Sequence, residues 1–345
     1  MKNIDKQILR WFDAVKRPLP WRENQDFYSV WISEIMLQQT RVNQMIGYYN
    51  RFMTNFPTLK NLAQASEEEV LKNWEGLGYY SRARNLHFTA QYIYDECKGV
   101  APSNFQDLKK LKGIGEYTAA AIASICYNEP VVAVDGNVFR VLSRYLGIED
   151  DIAQPKTRSL FFALGNELIS KENPGDFNQA LMELGATVCL PKNPKCEECP
   201  IAESCFALEN QMVAKLPVKN KKINQTTRFL NYFVINDSLV FSQRIQNDIW
   251  KNMYELPLYE TTHNLEIIEE INGFAVSQSS LLQTMQHKLT HQTLHIQFWK
   301  ITVSDEDFEQ LSSGKIQHAV ESNFELEVAL PRPIVLFLDK IKTEL

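Results

Sequence analysis

Two acidic residues stand where their neighbours make a carboxyl group unusual. Glu34 lies in Trp31-Ile-Ser-Glu-Ile-Met-Leu-Gln-Gln-Thr; on a helix it falls four after Val30, three after Trp31 and three before Leu37, on an apolar stripe. Burial disfavours the charged form and raises the pKa, as a general acid near neutral pH requires. The alternative is an ion pair with a nearby arginine such as Arg22 or Arg41. Asp135 follows the apolar run Val131-Val-Ala-Val and precedes Gly136-Asn-Val-Phe-Arg-Val-Leu, where a helix should begin. It is either a helix N-cap or an ionised carboxylate facing a developing cation. One neutral and one charged carboxyl group are the usual pair for cleaving a glycosidic bond through an oxocarbenium-like state.

Cys189, Cys196, Cys199 and Cys205 form C-x6-C-x2-C-x5-C on one short loop, which can enclose one tetrahedral metal or one cubane cluster. Structural zinc usually pairs two C-x2-C knuckles and only one exists here, so the spacing tilts toward iron–sulfur. Cys97 and Cys126 each stand alone in apolar helical surroundings and read as packed thiols. Leu111-Lys-Gly-Ile-Gly-Glu-Tyr-Thr-Ala places Gly113 and Gly115 between a helix ending near Leu111 and one beginning near Glu116. Such a turn is either an ordinary helix–helix connection or a backbone cradle for a phosphate at a helix start. His287, His291 and His295 recur every four residues, but their neighbourhood alternates like a strand and turn, which gives them no common face for a metal.

These groups need two kinds of scaffold. The 345 residues, 44% of them hydrophobic, suit two domains. Up to about Asn210 the apolar residues recur at three and four, as in Ile4/Ile8/Trp11/Phe12, which predicts a mostly helical domain over 1–212. A basic linker follows at 213–227; no acidic residue occurs from Gln211 to Asn236, while Lys215, Lys219, Lys221, Lys222 and Arg228 are positive. That stretch reads equally as a solvated linker or as a phosphate contact. Beyond it, Phe229-Leu-Asn-Tyr-Phe-Val-Ile, a turn at Asn236-Asp237 and Leu239-Val-Phe predict a hairpin, the alternation of Leu294, Ile296 and Phe298 predicts a strand, and Glu266–Ile271 and Pro333–Ile341 predict short helices. The segment 228–345 is therefore α+β. A net charge of −6 argues against indiscriminate binding of polyanions. With no apolar core of signal-peptide length at Met1–Lys6 and no run of about 18 apolar residues, the expected compartment is the cytoplasm.

Together the glycine hairpin, Val134-Asp-Gly-Asn-Val and the four-cysteine loop resemble the helix-hairpin-helix DNA glycosylases that carry an iron–sulfur cluster. Within that superfamily Leu19-Pro-Trp-Arg, Ser33-Glu-Ile-Met-Leu-Gln-Gln-Thr and Gly76-Leu-Gly-Tyr-Tyr-Ser-Arg resemble the adenine glycosylases of the MutY type, and the likeness covers nearly all of residues 1–210. It implies a six-helix barrel over about 21–130, a cluster subdomain from 1–20 and 131–212, and a 4Fe–4S cluster on the four cysteines. By the same resemblance Glu34 protonates adenine and Asp135 stabilises the sugar cation. Asn137 orients the water or Asp135, while Trp21, Arg22 and Gln179 line the adenine pocket. Gln39 and Tyr79 fill or wedge the base stack. Gly113 and Gly115 hold DNA phosphate. Tyr117 occupies the position where bifunctional relatives carry a lysine nucleophile, which implies a monofunctional enzyme with little strand cutting.

The second half resembles that family's Nudix-like domain through Phe241-Ser-Gln-Arg, Trp250-Lys-Asn-Met-Tyr-Glu-Leu-Pro and His287-Lys-Leu-Thr-His. It lacks the glutamate-rich helix that binds magnesium, which argues against pyrophosphohydrolase activity. Where the family commonly reads Phe-Ser-His against oxidised guanine, this chain reads Leu289-Thr290-His291, keeping the hydroxyl and losing the aromatic ring. The implied partner is double-stranded DNA with adenine opposite 8-oxoguanine or guanine, met by a monomer. The rival readings are a thymine or uracil mismatch glycosylase and a catalytically silent iron–sulfur DNA-binding protein.

Overall fold

The computed structural model describes residues 4–220, 225–271, 273–320 and 326–344; Lys221 and Lys222 of the basic stretch lie outside them. The chain divides into two compact units. One comprises residues 1–64 and 84–221, the other residues 65–83 and 222–345.

The helices in chain order are α1 (Ile4–Val15), α2 (Phe27–Leu37), α3 (Val42–Asn55), α4 (Leu59–Gln64), α5 (Glu67–Trp74), α6 (Ser81–Asp95), α7 (Phe105–Leu108), α8 (Glu116–Tyr127), α9 (Gly136–Leu146), α10 (Pro155–Leu168), α11 (Pro174–Thr187) and α12 (Phe206–Glu209). In the first unit, Ile4, Ile8 and Phe12 of α1 pack with Val138, Leu142, Phe161, Phe177, Leu181 and Leu184 of α9, α10 and α11. The three-and-four spacing of α1 thus turns one stripe to a core built mostly from residues over 130 positions away. Helices α2 and α8 are different, because nearly all of α2 and the whole middle of α8, Thr118–Ser124, are buried. A helix that is apolar all round belongs in an interior, and the alanines of α8 let α2 lie close against it.

The second unit carries β1 (Thr226–Ile235), β2 (Ser238–Gln243), β3 (Tyr254–Glu255), β4 (Leu258–Thr261), β5 (Glu270–Ile271), β6 (Phe274–Ala275), β7 (Gln278–Lys288), β8 (Gln292–Thr302) and β9 (Ile316–Ala319), with helices α13 (Asp305–Ser312) and α14 (Arg332–Glu344). Its main sheet runs β3-β2-β1-β8-β7, with β4 on β1 and β9 on β2. The β1–β2 hairpin turns at Asn236-Asp237, both in the left-handed region, as its sequence predicts. Strand alternation gives the sheet two apolar faces: Phe233, Ile235, Trp299 and Ile301 pack with Leu311 of α13, while Phe298 stacks on Phe337 of α14 with ring centroids 4.0 Å apart. Helix α14 contains the predicted Pro333–Ile341. The predicted helix at Glu266–Ile271 does not form. There Ile268 and Ile271 are buried and the Ile268 N–H donates to Ser279 Oγ (3.2 Å), so the backbone bonds across to β7 instead of along itself. Residues 65–83 join this unit through Asn252 Nδ2 donating to Glu67 Oε1 (2.5 Å) and the Leu330 N–H donating to Glu75 Oε2 (3.0 Å).

Candidate active site

A cavity of about 940 Å³ opens in the helical unit. Trp21, Arg22, Glu34, Gln39, Tyr117, Asp135, Asn137 and Gln179 all line it, so residues picked from five separate stretches of sequence meet in one place.

Asp26 caps α2 by accepting from the Ser29 N–H (3.0 Å), and the buried helix carries Glu34 inside. Glu34 is 6% exposed, and its Oε2 is buried without a protein hydrogen-bond partner. Burial pushes its pKa up to about 7; the Tyr117 hydroxyl and the charge of Arg22 oppose that rise, while the charge of Asp135 adds to it. Neither arginine suggested as an ion-pair partner forms that pair: Arg22 donates to Glu183 and Gln179. Tyr117 is half-buried on the cavity wall, donates to Met182 Sδ (3.1 Å), and is held neutral by desolvation and by the Glu34 and Asp135 charges.

Asp135 is an N-cap and more. Its Oδ1 accepts from the Val138 N–H at the start of α9 (2.7 Å), and its Oδ2 accepts from Asn137 Nδ2 (2.9 Å). Burial raises its pKa, and these donors together with Arg140 pull the other way by favouring the carboxylate. Asn137 is itself fixed. Arg140 Nη2 donates to its Oδ1 (2.9 Å) and to the Gly185 carbonyl (2.6 Å), and a Cβ at position 185 would stand 2.5 Å from that of Asn137. The extended segment before Asp135 is held by Asn178, whose amide accepts from the Ala133 N–H (3.0 Å) and donates to the Val131 carbonyl (2.9 Å). Arg17, Arg140, Met182 and Glu183 are parts of this site that sequence motifs did not single out. The one signal available for Glu183 is its place one helical turn after Gln179.

The remaining candidates lie elsewhere. Gly113 (φ +81°) makes the turn between α7 and α8, where a Cβ would meet that of Asn85 at 2.7 Å; α7 stops at Leu108, three residues short of the predicted end. Gly115 caps α8 with open space around it. In the second unit Leu289, Thr290 and His291 form the turn joining β7 to β8, and the Thr290 hydroxyl shares a hydrogen bond with that of Tyr79. Tyr79 is 45% exposed and left-handed (φ +50°), as is Gln39 (φ +60°). His287 lies on β7 and His295 on β8; among the described residues no three His, Cys, Asp or Glu side chains are placed to share a single metal ion. Arg228 sits on β1 and is taken by Glu260 (2.7 Å) and Asp248 (2.9 Å), which answers its charge within the protein.

The four clustered cysteines line a second, smaller cavity walled by Val188, Pro194, Ala202, Leu208 and Val213. Arg144 Nη1 donates to Cys189 Sγ (3.3 Å). Four thiols around one apolar space with a cation alongside suit an anionic, thiolate-bound cluster.

Residues 32–166 match the HhH-GPD superfamily of base excision DNA repair proteins, 189–205 match the iron–sulfur binding domain of endonuclease III, and 231–340 match the NUDIX domain. The cofactor is a 4Fe–4S cluster. An adenine DNA glycosylase of Buchnera aphidicola subsp. Schizaphis graminum is 33% identical over 342 residues, covering 97% of both chains. The adenine DNA glycosylase of Homo sapiens is 46% identical over 209 residues, 58% of this chain and 38% of that one. The structure of a thermostable thymine-DNA glycosylase superposes with a TM-score of 0.55 at 27% identity, covering 61% of this chain and 96% of that one. The chain belongs to the adenine DNA glycosylase family. Among the described residues no helix is long and apolar enough to cross a membrane.

Proposed function

We propose that the protein removes adenine opposite 8-oxoguanine, or opposite guanine, from double-stranded DNA by hydrolysing the N-glycosidic bond after the nucleotide has been turned out of the stack. The observation that carries this is the pair of carboxyl groups in one cavity: Glu34 buried with an open oxygen, Asp135 held by a helix start and an amide. A neutral Glu34 gives its proton to a ring nitrogen of adenine. The bond from the sugar carbon to the base then breaks, and its electron pair leaves with the adenine. The carboxylate of Asp135 faces the resulting sugar cation, and water adds there, giving up its proton to a carboxylate of the pair, to leave an abasic site. Tyr117 has no amine and a hydroxyl that stays protonated, so no Schiff base forms and the strand is not cut. Trp21, Arg22 and Gln179 line the pocket for the base; Gln39 and Tyr79 offset the cost of unstacking; Leu289, Thr290 and His291 read the oxidised guanine. The amides around Gly113 and Gly115 take phosphate without reading sequence. Cys189, Cys196, Cys199 and Cys205 ligate the cluster, which when bound cross-links their loop.

The test is base release from labelled duplexes pairing adenine with 8-oxoguanine, adenine with guanine, thymine with guanine and uracil with guanine, each with and without hot alkali. Adenine release fastest opposite 8-oxoguanine, with strand breaks only after alkali, is expected. Faster loss of thymine or uracil would replace this reading with the pyrimidine one, and tight binding without any release would make the protein a silent binding module.

A further inference from the structure

Glu183 is 2% exposed and lies on α11 one turn beyond Gln179, facing the cavity already described. It binds two arginines at once: Arg17 through both Nε and Nη2 (the latter 3.0 Å) and Arg22 through Nη2 (3.0 Å). Every nitrogen of Arg22 is then committed. Nη1 donates to the Arg17 carbonyl (3.1 Å), Nε donates to Gln179 Oε1 (3.0 Å), and the guanidinium lies over the Phe12 ring, 5.3 Å from its centroid. Arginine has no acceptor, so the Gln179 atom that meets Nε must be the amide oxygen. The usual ambiguity between the two ends of a glutamine is thereby removed. The Gln179 nitrogen makes one long contact, to Asp176 Oδ1 (3.4 Å), and is the end left for a ligand.

We infer that Glu183 is a positioning residue: by anchoring Arg22 it fixes the Gln179 amide so that the substrate base meets only hydrogen-bond donors there. This rests on the reading of the cavity as the adenine site. A donor-only amide selects a purine that presents an unprotonated ring nitrogen at that point, and it is silent toward an exocyclic amino group. Without the buried charge Arg22 loses its anchor, and the amide can turn over and offer its oxygen.

The experiment is a double-mutant cycle on the full chain with its cluster. Single-turnover adenine release and duplex affinity are measured on the adenine–8-oxoguanine duplex for wild type, Glu183→Gln, Gln179→Ala and the double variant. Glu183→Gln should slow release on the order of tenfold, the rate equivalent of one oriented hydrogen bond, with duplex affinity kept. In the Gln179→Ala background the same substitution should change nothing. Equal slowing in both backgrounds would overturn the proposal, because Glu183 would then act through the fold alone. Should Glu183→Gln lose its melting transition, Glu183→Asp, which keeps the charge one methylene short, carries the same cycle with the same two outcomes. A wild type that releases no adenine refutes the reading of the cavity itself, before any variant is compared.

Discussion

Glu34 in the helical unit and Glu255 in the sheet unit are both hidden from water, and burial raises the pKa of both. Their surroundings differ. Arg244 Nη1 donates to both oxygens of Glu255 (2.8 and 3.0 Å), the Tyr232 hydroxyl adds a third bond (3.2 Å), and Arg244 is held in turn by Asp248 (2.6 Å). Glu34 keeps one oxygen with no protein partner. A buried carboxylate whose bonds are complete fixes structure; one left open has a proton to give.

Substitutions should separate the two roles. Glu34→Gln is expected to slow adenine release by about 10²–10⁴ while duplex binding is kept. Its stability should not fall. The folded pKa of Glu34 lies above its ordinary 4.5, so between there and about 7 the folded chain binds more protons than the unfolded chain. Stability is therefore lost as pH rises through that window, and the glutamine removes the loss. Melting curves of both proteins across this pH range check the sign. Glu255→Ala should do the reverse, costing about 1–3 kcal/mol in denaturant unfolding because the buried Tyr232 hydroxyl loses its acceptor and Arg244 keeps only Asp248 of its two carboxylate partners, with adenine release intact well below the transition. Loss of chemistry in Glu255→Ala without loss of stability would collapse the contrast. Asp135→Asn keeps an N-cap and loses the charge, so release should fall on the order of 10² with little change in melting. The smallest effect belongs to Thr290→Ala, which should lower the preference for 8-oxoguanine over guanine opposite adenine by about three- to tenfold, the worth of one hydrogen bond. An unchanged preference would remove the β7–β8 turn from lesion reading.

What could be read from sequence was local. The apolar stripe around Glu34, the helix start at Asp135 and the β1–β2 turn depend on neighbours within a few residues, and periodicity exposes them. The open oxygen of Glu34 was not legible, because it depends on Arg22 being drawn to Glu183, 161 positions away. The Tyr79 bond to Thr290 spans 211 positions and the Glu67 bond to Asn252 spans 185, beyond any pattern in a window. At Glu266–Ile271 a local pattern misled, since burial of Ile268 and Ile271 and a bond from the Ile268 N–H to the Ser279 hydroxyl outweigh weak helix propensity in so short a segment.

The central claim is that a buried, neutral Glu34 supplies the proton that lets adenine leave. The most direct test is the rate of single-turnover adenine release by the wild type from about pH 5 to about pH 9 on the adenine–8-oxoguanine duplex. The protonated form of Glu34 is lost as pH rises through about 7, so the rate should fall above that point, approaching tenfold per pH unit. A rate that stays level to the alkaline end would contradict the account, because the proton would then come from somewhere else.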